Sequence, residues 1–186
     1  MAASRTLILM RHAEAGGAHI DHDRPLTPVG VSDAAAAGGW IRQALPAVGA
    51  VVCSTALRTR QTLTATGIDA PVMFAEELYG GGIDDILIQI GRTPDTADTL
   101  LVIGHAPGIP STAYELATVA ALVRADVESA GVDEADADQL ASAGRPELDG
   151  LRYFSACAVA VLTTDAGWAE LAEQGAELLT VRHPRG

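Results

Sequence analysis

Short apolar runs that recur between helical stretches leave this chain few folds to choose from. RTLILM at 5–10, AVVC at 50–53, PVMF at 71–74 and TLLVI at 99–103 are four such runs. Each is too short for a core helix and unbroken enough for a strand covered on both faces. Two later runs, YFSACAVAVLT at 153–163 and ELLTVR at 177–182, are predicted as a closing strand pair. Strands alternating with helices predict an α/β fold: a three-layer sandwich with a mostly parallel central sheet, one antiparallel edge strand and helices on both faces.

The segments between the strands carry helix signals. In LTPVGVSDAAAAGGWIRQAL, Thr27 is the expected N-cap and Pro28 opens the first turn. Val31, Ala35, Gly38, Ile41 and Leu45 mark the expected inner face, and Pro46 helps to stop the helix. Ser54 is expected to cap a helix running through TALRTRQTLTATG to about Gly67. GGGIDDILIQIGR and IPSTAYELATVAALV read as two more helices. Asp84 and Asp85 suit the first turn of the former through the helix dipole. The alanine tract 34–37 reads as helix propensity with tight packing.

A chain of 186 residues, 48% hydrophobic and 19% charged, suits one domain over 1–186 with an elaboration at about 124–150. That elaboration holds eight of the 24 acids: Asp126, Glu128, Asp133, Glu134, Asp136, Asp138, Glu147 and Asp149. It reads as a solvated excursion, or as a lid or protein-partner docking element. A net charge of -12 argues against nucleic-acid binding, and no apolar run approaches the roughly 20 residues of a membrane helix. The expected setting is cytoplasmic, with Cys53 and Cys157 as buried free thiols.

All 12 basic residues are arginines. Without lysine the chain has no Schiff-base or P-loop chemistry, and any phosphate or carboxylate must be gripped by guanidinium forks. In open α/β sheets ligands gather beyond the carboxyl ends of strands. Arg11 and His12 leave the first strand, Arg58 lies in the first turns after the second, and His105 leaves TLLVI. Taken alone, Arg11 and His12 are ordinary strand-end residues, and Arg58 is a surface ion-pair former like Arg60. At three matching ends, two forks and two imidazoles suit a tetrahedral phosphoryl group, with histidine as nucleophile or acid/base.

HAEAGGAHIDHD invites a metal reading through His12, Glu14, His19, Asp21, His22 and Asp23, but its spacing fits no zinc pattern. His19 and His22 are expected as exposed loop residues, with substrate contact open, and His183 as a surface residue. YGGGIDD reads as a turn into a helix.

LMRHAEA resembles the signature of the histidine phosphatase superfamily, the phosphoglycerate mutase-like group. CSTALRTRQT is similar to its second block through Ser54, Arg58, Gln61 and Thr62, and LLVIGHAPGI to the block around the second histidine. RPLTPVG (Arg24 to Gly30), the EEL at Glu77 and the closing VRHPRG resemble the bacterial phosphohistidine phosphatase (SixA-like) branch. The likeness spans about 5–122 and resumes near 153. It implies a phosphatase without metal or cofactor. His12 would become a phosphohistidine, with Arg11, Arg58 and His105 bracing and binding the phosphoryl oxygens. The substrate would be protein phosphohistidine or a small phosphate compound. A phosphoglycerate-mutase-type phosphotransferase and a non-catalytic phosphate-binding or partner-docking module are the alternatives. Ala13 stands where many members have glycine. Glu76 and Glu77 lie near the loop that holds a leaving-group acid in larger members, and a missing acid would favour a phosphoramidate substrate. The short branch has only a loop where this chain has its acidic insertion.

Overall fold

A computed structural model describes residues 4–129 and 146–184. Its elements run β1 (Arg5–Arg11), α1 (Pro28–Ala44), β2 (Ala50–Ser54), α2 (Leu57–Thr66), β3 (Val72–Ala75), α3 (Ile83–Gly91), β4 (Thr99–Gly104) and α4 (Gly108–Ser129). Then come α5 (Pro146–Arg152), β5 (Val159–Thr164), α6 (Leu171–Gln174) and β6 (Glu177–Arg182). Short 3-10 turns lie at Asp21–Asp23, Glu76–Leu78 and Trp168–Glu170. The middle of the acidic insertion, 130–145, lies outside the described residues, and with it the lid or docking reading made from the sequence.

The six strands form one sheet in the order β3-β2-β4-β1-β5-β6. β3, β2, β4 and β1 are parallel, while β5 pairs antiparallel with both β1 and β6. The mostly parallel sheet with an antiparallel pair at one edge is the predicted α/β architecture; the reversed strand is β5, one place in from the edge.

Alternation along the strands builds two cores. Leu7, Leu9, Leu100 and Val102 face one way, against Ile86 and Ile90 of α3 and Ile109, Ala113 and Leu116 of α4. Ile8, Met10, Leu101 and Ile103 face the other, against Ala34, Ala37 and Ile41 of α1 and Leu63 of α2. Since both faces are covered, β1 and β4 read as unbroken apolar runs.

Thr27 caps α1 as expected, its Oγ1 accepting from the Gly30 amide at 3.0 Å. The buried face of α1 is Gly30, Ala34, Ala37, Gly38 and Ile41, whereas Val31 and Ala35 are exposed. The expected face is thus turned, because small residues bring α1 against its neighbours. A Cβ on Gly38 would lie 2.1 Å from the Thr66 carbonyl oxygen of α2.

Two further expectations are corrected. Ser54 does not cap α2, whose N-cap is Ala56 without a side-chain bond. The segment 153–163 is strand only from Val159: Tyr153 to Ala158 are turns and irregular backbone, with Cys157 at a φ of 65°. Its buried Phe154, Cys157 and Ala158 imitate a strand by composition alone.

Candidate active site

Sheet register creates the site. Arg11 pairs with Gly104 across β1 and β4, and Cys53 with Ile103 across β2 and β4. The next residues, His12, Ser54 and His105, therefore leave three adjacent parallel strands at their carboxyl ends. The His12 amide donates to the Gly104 carbonyl at 3.0 Å, and the two imidazole centroids stand 5.2 Å apart.

His12 has a fixed tautomer. Its Nδ1 lies 2.7 Å from the Ala13 carbonyl oxygen, which can only accept, so Nδ1 carries the proton and Nε2 keeps its lone pair. Burial, aided by the charges of Arg58, Arg11 and Arg24, pushes the His12 pKa down to about 4. Burial first, then His12 and Arg58, brings His105 down to about 3. Both rings are neutral at pH 7. His105 is steadied by Ser54, whose Oγ lies 2.9 Å from Nε2.

The charges of both arginines act on both imidazoles. Arg11 Nη1 donates to the Phe154 carbonyl at 2.9 Å, and burial lowers its pKa. Arg58, in the first turn of α2, is only 5% exposed, so it is no surface ion-pair former. It donates from Nη1 to the Asp21 carbonyl at 2.7 Å and from Nη2 to Asp21 Oδ2 at 3.0 Å. Arg60 is exposed on the same helix and lies over the Phe74 ring.

The loop after β1 closes one wall. Tyr79 donates its hydroxyl to Asp21 Oδ2 at 2.8 Å, and Arg24 Nη1 reaches Asp21 Oδ1 at 3.2 Å. Those bonds, Tyr79 foremost, hold the Asp21 carboxyl down at about 2. Tyr79 also stands edge-on to His105 at 5.6 Å and to His22 at 5.1 Å.

His22 is half-buried rather than exposed. Thr55 Oγ1 spends its one proton on Glu76 Oε2, so His22 Nε2 donates to Thr55 Oγ1 at 3.1 Å. Glu77 turns the other way, 4.0 Å from Arg92 Nη1. His19 is exposed as expected. His183 is half-buried, its Nδ1 3.1 Å from Ser155 Oγ and its ring beside Phe154.

Within the loop that invited a metal reading, Glu14 accepts from Thr27 and Asp21 holds Arg58. Among the described residues no group of three or more His, Cys, Asp or Glu is placed to hold a metal ion. Ala13 is fully buried and donates its amide to Thr62 Oγ1 at 3.0 Å, and Thr62 in turn donates to the Arg58 carbonyl at 2.7 Å. Cys53 and Cys157 are free and buried, burial pushing both thiols up to about 12.

Sequence reasoning missed Asp21, Tyr79 and Thr55 as wall residues and gave Ser54 the wrong task. The serine carried a signal, since it opens the block that ends in Arg58, Gln61 and Thr62. Asp21 had none for this task, because Arg58 and Tyr79, two of its three partners, lie in distant elements.

Residues 7–79 match the profile of the histidine phosphatase superfamily (branch 1). The uncharacterized protein Rv1276c of Mycobacterium tuberculosis is 40% identical over 178 residues, covering 95% of this chain and 100% of the relative. A solved structure from Nakamurella multipartitia, a candidate phosphohistidine phosphatase SixA, is 52% identical with a TM-score of 0.87, covering 100% of this chain and 99% of that one. The protein histidine phosphatase SixA complexed with tungstate shares the fold at 21% identity and a TM-score of 0.67, with 97% of each chain covered. With this fold, a matching family profile and relatives that match from end to end, this chain belongs to the histidine phosphatase superfamily, in its SixA-like branch.

Proposed function

We propose that the chain is a metal-independent phosphatase that works through a phosphohistidine on His12, with protein phosphohistidine as its favoured substrate and small phosphate compounds as the wider class. The observation behind this reading is the His12 Nδ1 bond to the Ala13 carbonyl, which leaves Nε2 unprotonated beside His105. The Nε2 lone pair attacks phosphorus and forms an N–P bond. The bond to the leaving atom breaks, and its electron pair departs with that atom. The phosphorylated ring is cationic, and the Ala13 carbonyl steadies it through Nδ1–H. Arg11, Arg58 and His105 face the phosphoryl oxygens as charge shifts among them. Water then attacks phosphorus, the N–P bond breaks, and the pair returns to Nε2.

Likeness to the 52%-identical Nakamurella relative, a candidate phosphohistidine phosphatase, supports the phosphohistidine class. Glu77 faces Arg92, and Glu76 is held by Thr55 on the wall that carries His22. Glu76 is thus the better placed of the two as a leaving-group acid, and a phosphoramidate needs less help from one. Two free thiols suit a reducing, cytoplasmic setting. The acidic insertion is the proposed place for a protein partner.

The test is release of phosphate from a phosphohistidine peptide and an aryl phosphate by the wild type and by His12→Ala. A loss of about a thousandfold or more is expected for both substrates, with an acid-labile phosphoenzyme trapped only in the wild type. Undiminished turnover by the variant would refute His12 as nucleophile.

A further inference from the structure

The wall of the site holds a carboxylate where an anion-binding pocket has reason to avoid one. Asp21 engages both terminal nitrogens of Arg58, one through its backbone carbonyl and the other through Oδ2. The same Oδ2 takes the Tyr79 hydroxyl, and Oδ1 takes Arg24. Three residues from three parts of the chain thus fix one carboxylate. Its side chain is nevertheless 55% exposed, so a ligand can reach it. A phosphoryl group that takes up the fork of Arg58 arrives beside this negative charge. An ester dianion brings nothing to offset the repulsion, whereas a substrate with a cation next to its phosphorus does.

We propose that Asp21 is a specificity-determining residue whose carboxylate accepts the ring N–H of a cationic imidazole leaving group, so selecting phosphohistidine and related phosphoramidates over phosphate esters. The assignment rests on the phosphatase reading above. Protonated phosphohistidine carries phosphorus on one ring nitrogen and a proton on the other. As His12 Nε2 bonds to phosphorus, the substrate P–N bond breaks and its pair returns to the leaving nitrogen. The ring then departs as neutral imidazole, with its proton still on the far nitrogen. Without that proton it would leave as an imidazolate, a far worse leaving group. A carboxylate that accepts the N–H keeps the ring in the form that leaves. Asp21, ionised down to about pH 2, suits an acceptor and not an acid.

The experiment compares kcat/KM for a phosphohistidine peptide and for an aryl phosphate in the wild type, Asp21→Asn and Tyr79→Phe. Asp21→Asn is expected to lower the peptide-to-aryl ratio about tenfold or more, the loss on the peptide far exceeding any on the aryl phosphate. Tyr79→Phe removes one tether of the carboxylate and should move the ratio the same way by a smaller factor, which keeps the test readable if Asp21→Asn folds poorly. Equal losses on both substrates would mean that Asp21 only steadies Arg58, and would overturn the assignment. A wild type active on both substrates, with a ratio that neither variant moves, would overturn this assignment alone. A wild type that turns over neither would overturn the phosphatase reading and this assignment with it.

Discussion

Ser54 Oγ lies 2.9 Å from His105 Nε2, and Ser54 itself is wholly buried at the carboxyl end of β2. His105 Nδ1 is also buried and has no hydrogen-bond partner among the described residues. The serine is therefore the hydrogen bond that sets this ring. Ser54→Ala should lower kcat/KM for an aryl phosphate by about tenfold, the size expected for losing one fixed hydrogen bond. Steady-state kinetics beside a far-UV circular dichroism spectrum checks this, and unchanged kinetics would show that the ring needs no such anchor.

Thr62 joins the two arms of the site, accepting from the Ala13 amide and donating to the Arg58 carbonyl. Thr62→Val keeps the shape and removes both bonds, leaving a buried N–H next to His12 unsatisfied. Stability should fall by about 1–3 kcal/mol, read from urea unfolding. An unshifted midpoint would mean that water replaces the hydroxyl.

The histidines give a pH dependence with a defined sign. His12 and His105 have folded pKa values of about 4 and about 3, below the roughly 6.5 of an unfolded chain. Their contribution to stability is complete above about pH 6.5 and is lost as the pH falls toward 4 and then 3, because the unfolded chain takes up the protons first. Asp21, held at about 2, adds a further loss below its ordinary range. Denaturant unfolding at pH 7, 5 and 4 should show a steady decline, shallower in His12→Ala. Ring-proton NMR signals of both histidines should stay flat from pH 8 to about 5.5, and a midpoint near 6.5 for either would contradict the burial that neutralises them.

Gly38 and Gly39 are adjacent on α1 and should respond in opposite directions. A Cβ on Gly38 would meet the Thr66 backbone, and one on Gly39 meets nothing within 4 Å. Gly38→Ala should destabilise by about 1–3 kcal/mol as α1 is pushed from α2. Gly39→Ala should stabilise by about 0.5–1 kcal/mol through helix propensity. Thermal melts that gave the reverse order would mean that the helices can part without loss.

What the sequence makes legible follows from how local the cause is. β1 and β4 are covered on both faces, so their apolar runs announce them, and Thr27 caps α1 through a bond three residues long. Composition misleads where a turn buries strand-like residues, as at Phe154 and Cys157. Periodicity cannot choose between two faces of a helix rich in alanine and glycine; the contact of Gly38 with Thr66 chooses. Motif blocks lead to Arg11, His12, Arg58 and His105. The walls between them come from pairings such as Asp21 with Arg58 and Ser54 with His105, which only the folded sheet brings together.

β1 carries His12 at its tip, yet both of its ladder partners come much later in the chain, at Thr99–Gly104 and Val159–Thr164. On the ribosome, this strand emerges early and stays unpaired on both edges until β4 and β5 follow. Contacts so distant in sequence make folding slow. A nascent or truncated polypeptide ending before Thr99 would display the histidine with neither ladder partner of β1 nor the Phe154 anchor of Arg11, so the site is assembled late, with the completed sheet.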